Sequence, residues 1–115
     1  MKVVHVFKTA MPFTQGGLEE SIRQICLGTR AELGATCRVL TVAPDRRRHE
    51  LDAGYAAVTA YPAALSVSTC PVAPAMRPAL GRAFAEADIV HLHAPWPFAE
   101  MAALLHPGGR ARRVV

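Results

Sequence analysis

The sequence is short of aromatic side chains, of paired cysteines and of long apolar runs, and each shortage closes off a class of function. Its cysteines are Cys26, Cys37 and Cys70, odd in number and far apart. No Cys-x-x-Cys or Cys/His spacing joins them, so neither a disulfide framework nor a zinc finger is expected. Buried, reduced thiols in a cytosolic protein are the simplest reading. Aromatics make up 6% of the chain. None is interleaved with the arginines, as a surface that stacks single-stranded nucleic acid requires, and no nucleic-acid partner is expected. No apolar stretch is long enough to span a bilayer. The run after Met1 is closed by Lys8 too early for a signal peptide. A soluble, cytoplasmic chain is expected, and a position against the inner face of the membrane is compatible with it. Gly-x-Gly-x-x-Gly is missing, as are the lysine and Ser/Thr of a P-loop, so two standard nucleotide sites are disfavoured. No nucleophile elbow, Ser/His/Asp set or paired-carboxylate motif stands out.

What remains is an apolar, alanine-rich chain of 115 residues with a net charge of +4, enough for one domain and one core. Arg46-Arg47-Arg48 and Arg110, Arg112, Arg113 form two local basic clusters, which read as solvated loops.

The chain is organised around its first strand and the turn that follows. Val3 to Phe7 is nearly continuously apolar apart from His5, the pattern of a parallel strand buried on both faces. His5 reads as a core histidine with a hydrogen-bond partner. A loop from Thr9 then ends in Gly16-Gly17 at the mouth of a helix. Such a mouth carries unpaired N–H groups and the positive end of the helix dipole, so it can hold an anion such as a phosphate. It can equally be a well-made turn that binds nothing.

From Leu18 the period becomes helical. Leu18, Ile22, Ile25, Cys26, Thr29 and Leu33 form one buried face, and Gly34 is the C-cap. Cys37 to Ala43 is a second strand. Asp45 to Asp52 is charged and reads as a surface loop. Tyr55 to Tyr61 is a weaker third strand. Between Pro62 and Pro78 the backbone is expected to wander before a helix over about Ala75 to Ala87. Asp88 to His93 is a fourth strand, with Asp88 structural, and Phe98 to Leu105 a short helix. Pro107-Gly108-Gly109 is a turn, and Arg112 to Val115 starts a fifth strand. The alternation predicts an α/β fold: an open parallel sheet of about five strands, helices on both faces, right-handed crossovers. A sheet that stops two residues into a buried strand is incomplete, so the expectation is one incomplete domain over residues 1–115, a fragment of a longer protein.

His93 closes the fourth strand, and ligands in open α/β sheets bind outside the carboxyl ends of strands. The first strand's loop opens at the same edge, so Gly16, Gly17 and His93 are expected to line one crevice. His91 and His93, two apart on a strand, point to one face and both reach a single metal. No third ligand is evident, His49 and His106 falling in other loops, so no metal site is expected. Trp96, between Pro95 and Pro97, either stacks on a sugar or caps the core.

Four stretches together resemble a known family: Lys2-Val3-Val4-His5-Val6-Phe7-Lys8; Thr14-Gln15-Gly16-Gly17-Leu18-Glu19-Glu20-Ser21-Ile22-Arg23-Gln24; Arg38-Val39-Leu40-Thr41; and Ala87-Asp88-Ile89-Val90-His91-Leu92-His93-Ala94-Pro95-Trp96-Pro97. In this order they are similar to the N-terminal domain of family-four glycosyltransferases of the GT-B fold, above all those that build bacterial surface polysaccharides. The resemblance implies a partial Rossmann-like domain on the acceptor side of a cleft. It implies a second domain holding a nucleotide-sugar donor, a glycan or lipid-linked acceptor, transfer with retention, and no cofactor. It places Gly16 and Gly17 beside the donor diphosphate, His93 near the transferred sugar as the catalytic position, and Trp96 on the acceptor side. The donor-binding domain does not appear in these residues, so the chain alone is expected to be inactive. The competing expectation is a non-catalytic α/β binding module for a phosphorylated ligand or a partner chain.

Overall fold

The computed structural model describes residues 1–67, 70–93, 96–105 and 113–114. Strand β1 is Lys2–Val6, followed by helix α1 at Gly17–Leu33 and strand β2 at Thr36–Val42. Strands β3 (His49–Asp52) and β4 (Ala57–Tyr61) come next, then β5 (Leu65–Val67) and β6 (Cys70–Val72). A single 3₁₀ turn, Pro74–Met76, leads into α2 at Arg77–Glu86. Strand β7 (Ile89–Leu92), helix α3 (Pro97–Leu105) and strand β8 (Arg113–Val114) complete the described elements.

The main sheet has the order β3-β4-β2-β1-β7-β8, parallel throughout except for β3 against β4. Counted in chain order, the parallel strands lie 3-2-1-4-5, as in the Rossmann arrangement. The order reverses between β1 and β7, and a crevice opens at such a point beyond the carboxyl ends of the strands.

Physical reasons for these elements are local. The valines of β1 and β2 suit a pleat covered on both faces, and Val6 and Val39 are fully buried. Strand alternation then sends His5, Cys37 and Val39 to one face and Val4, Val6 and Leu40 to the other. Helix α1 covers the first face, with Cys26 beside Cys37 and His5. Helix α2 covers the second, where Ala79 and Ala83 share a cavity wall with Val4 and Leu40. Asp88 fastens β1 to β7 at their starts. Its carboxylate accepts the Lys2 N–H at 2.8 Å, and its own N–H donates to the Lys2 carbonyl at 2.9 Å.

Four expectations need correction. Residues 49–52 form an antiparallel edge strand, not loop. Its one apolar residue, Leu51, pairs with Val58, and its charged neighbours are what an exposed sheet edge carries. The proline-rich stretch holds the hairpin β5–β6; Pro71 is tolerated there because a two-stranded ribbon leaves outer N–H positions unpaired. The face of α1 is narrower than its periodicity implies: Ile22 and Cys26 are fully buried, but Ile25 and Leu33 are 37% and 63% exposed. Helix α2 begins at Arg77, since the prolines 74 and 78 hold the preceding turn in 3₁₀ form. The turn at 107–109 lies outside the described residues, whereas the expected fifth strand is found at Arg113–Val114, parallel to β7.

Gly34 caps α1 in the left-handed conformation, φ 63°, with its N–H on the Arg30 carbonyl and the Ala35 N–H on that of Thr29. Gly34→Ala is expected to cost about 1 kcal/mol through the strained φ. Gly17, where an added methyl would meet nothing within 4 Å, should accept alanine at no cost or with up to about 1 kcal/mol gained. Urea denaturation of the two variants checks the contrast; equal losses refute it.

Candidate functional site

The loop from β1 to α1 is pinned to its neighbours before it reaches the glycines. The Phe7 N–H donates to the Leu40 carbonyl at 3.2 Å, and the Tyr55 hydroxyl donates to the Met11 carbonyl at 2.6 Å. Phe13 packs on the His49 ring, centroids 5.3 Å apart. The loop delivers Gly16, the N-cap of α1, in extended backbone (φ 175°) that any residue adopts. Its glycine matters for space instead. A Cβ on Gly16 would stand 3.1 and 3.2 Å from the two carboxylate oxygens of Glu19. A side-chain carboxylate thus already rests over the positive mouth of α1, as the dipole favours. The mouth opens at the carboxyl end of β1.

His93 lies at the same rim, one residue past β7, its N–H donating to the Val6 carbonyl at 3.0 Å. The β1–α1 loop and His93 thus follow the carboxyl ends of two neighbouring parallel strands, where the strand order reverses. The arginine run 46–48 follows β2 and joins this rim as well. Arg48 is engaged there, with Glu50 at 2.6 Å and the Tyr61 ring at 5.5 Å. The second arginine cluster lies outside the described side chains. Another group of cations, Lys2, Arg38 and Arg82, lines a cavity of about 280 Å³ at the opposite end of the sheet with Glu86.

Around His93 the structure assembles more than the sequence suggested. In the β1–β7 register His5 pairs with His91, so both rings stand on the α1 face together with that of His93. The Nδ1 of His5 and the Nε2 of His93 share a hydrogen bond of 3.0 Å. The rings of His91 and His93 stack at 4.0 Å, and each lies 5.3 Å from His5. His5 thus has the partner expected of a core histidine, and it supplies the third ring that the sequence left unidentified. Residue parity hinted at its facing; only the register shows which strand it faces. His49 is elsewhere, bonded to Asp45 at 2.8 Å, and His106 is outside the described residues.

Burial sets the charge of this cluster. Desolvation, aided by the neighbouring imidazoles, pushes His5 and His93 down to about 4. Burial also lowers His91. The rings are neutral at pH 7, and one proton between His5 and His93 satisfies one nitrogen of each. The Nε2 of His5 is buried with no hydrogen-bond partner. Behind it sit Cys26 and Cys37, both buried and reduced as expected; burial pushes the Cys26 thiol up to about 12.

Trp96 is fully buried, which corrects the stacking alternative: no ring face is open to a sugar. Its indole N–H donates to the Pro71 carbonyl at 2.9 Å, and its ring lies 5.4 Å from that of Phe98. It anchors the β5–β6 hairpin to the start of α3. An amphipathic indole between two prolines gives no sign in sequence of which way it turns.

Comparison with known proteins adds a relationship to this geometry. The chain is 30% identical over 105 residues to the D-rhamnosyltransferase WbpZ of Pseudomonas aeruginosa, covering 91% of this chain and 27% of that protein. It is 31% identical over 117 residues to the O-antigen chain mannosyltransferase C of Escherichia coli, covering 100% of this chain and 30% of that protein. The chain is related to glycosyltransferases and spans less than a third of the length of these relatives. No protein-family profile matches it, and no solved structure does.

The buried neutral histidines make stability depend on pH. The unfolded chain takes up their protons below about 6.5, whereas the folded chain resists until about 4. Stability is therefore complete above the higher value and falls as pH drops from 6.5 towards 4. Urea midpoints at about pH 7.5 and about pH 5 should differ in that direction. His5→Gln with His93→Gln should flatten the slope. A midpoint that does not move across the interval refutes the buried neutral pair.

Proposed function

We propose that this chain is the acceptor-side, N-terminal domain of a retaining family-four glycosyltransferase of the GT-B fold. Joined to a donor-binding domain, it moves a sugar from a nucleotide-sugar donor to a glycan or lipid-linked acceptor in surface-polysaccharide synthesis. The observation that carries this reading is that the β1–α1 loop and His93 follow the carboxyl ends of two neighbouring parallel strands, β1 and β7, in a chain related to two glycosyltransferases.

Each feature of the rim has a task in such a reaction. Negative charge grows on the departing diphosphate as the glycosidic bond breaks. The N–H groups at Gly16 and Gly17 stabilise it, with the Glu19 carboxylate turned off the mouth and the Arg46–Arg48 run adding positive potential. His93, neutral at pH 7, orients an acceptor or sugar hydroxyl by hydrogen bonding; a ring titrating near 4 is a weak base at neutral pH. Its Nε2 is held by His5, which leaves Nδ1 for the ligand. Trp96 belongs to the acceptor side only as the anchor of the hairpin. A lipid-linked acceptor brings this rim to the membrane surface from outside the bilayer. No helix among the described residues is long and apolar enough to cross it.

With one wall of a two-domain cleft, the chain alone should transfer no sugar from any nucleotide sugar in a donor screen; turnover overturns the proposal. Grafted in place of the matching segment of the E. coli mannosyltransferase, it should support mannosyl transfer. His93→Ala in that chimaera should lower kcat/KM by about 100-fold through lost positioning. A folded chimaera that is inactive, or one indifferent to His93→Ala, also refutes the assignment.

A further inference from the structure

The histidine cluster has a chemistry of its own. We propose that His5, His91 and His93 form a binding site for a divalent transition-metal ion of the zinc type. Three neutral imidazoles are the ligands, and a fourth position is open on the His91 side.

The ligand atoms of the three residues all lie within 4.8 Å of one another. Ligands 2.0–2.1 Å from a tetrahedral zinc stand about 3.4 Å apart. The His5–His93 pair, at 3.0 Å, is already near that separation, and coordination requires the stacked rings of His91 and His93 to turn out of their stack so that their nitrogens converge. His91 lies on β7, His93 one residue past it with its N–H on the Val6 carbonyl, and His5 is the register partner of His91 on β1, so the backbone that presents them is held by the sheet. Nitrogen donors of this kind suit zinc, copper and nickel rather than calcium or magnesium. His5 and His93 are buried, whereas His91 is only half-buried. That contrast gives an ion and its water one route in.

A second set, His5 with Cys26 and Cys37, also falls within 4.8 Å, but every member is buried. A closed interior site needs four protein ligands, and this set offers three. The open trio is therefore the site.

The chain, stripped with a chelator, is titrated with Zn²⁺ in a calorimeter and with Co²⁺ in a visible spectrophotometer. One ion per chain is expected, with the visible bands of four-coordinate cobalt and a raised melting temperature. The imidazole nitrogen resonances of His5, His91 and His93 should move on zinc addition, and that of His49 should not. His91→Ala, the substitution least able to disturb the core, should weaken binding by at least about 100-fold. His49→Ala with His106→Ala should leave it unchanged. Absence of stoichiometric binding overturns the proposal. So does His91→Ala binding like the unaltered chain, or a response at His49 in place of the trio. The reading does not depend on glycosyl transfer: an inactive chimaera leaves these measurements intact.

Discussion

Parallel pairing of β1 with β7, in the register that sets His5 opposite His91, is the constraint on which the rest depends. Two short strands, far apart in sequence, are held by the Asp88–Lys2 hydrogen bonds at one end and by the His93 N–H on the Val6 carbonyl at the other. A slip of one residue would turn every side chain of one strand to the opposite face. His5 would then stand among the α2-side apolar residues without its imidazole partner. The same pairing places the exits of both strands side by side, where the sheet order reverses. Fold and candidate site thus come from one interaction.

That rim combines features of opposite electrostatic character. The mouth of α1 is positive and the arginine run after β2 adds to it, yet Glu19 rests over Gly16 and the histidines beside them carry no charge. A diphosphate arriving there meets N–H donors and exposed arginines but must displace one carboxylate. In the transfer reading a donor-binding domain supplies further charge compensation for the leaving diphosphate.

Much of this was legible in the sequence, for identifiable reasons. The valine runs and the helical period from Leu18 fix element types, because parallel strands and an amphipathic helix differ in periodicity. Gly34 marks the end of α1 because a left-handed residue was required there. Strand β3 was hidden because a charged edge strand with a single apolar residue resembles a loop. The hairpin was hidden because prolines mask strand character. At the rim, Gly16, Gly17 and His93 were readable from their places at the ends of elements. His5 was not, since its role depends on a pairing register that no local pattern encodes. Trp96 stayed between two readings for a different reason: the same ring serves a ligand face or a core, and only its burial tells which.

The neutrality of the cluster narrows what His93 can do in any reaction. An imidazolium beside a departing diphosphate would supply charge, but desolvation and the neighbouring His91 imidazole hold the ring uncharged well below neutral pH. A base of such low affinity for protons removes little from a sugar hydroxyl. What survives is a rigid, oriented hydrogen-bonding nitrogen, fixed from behind by His5. The same property makes three adjacent rings good ligands, since a metal ion needs the lone pair that a protonated imidazole lacks. Hydroxyl orientation and metal binding therefore draw on one physical cause, the burial of histidines in a parallel sheet. They differ in which nitrogen is used: a hydroxyl can take the Nδ1 that the His5 bond leaves over, whereas convergence of all three rings on an ion requires the proton between His5 and His93 to move to the far nitrogen of its own ring.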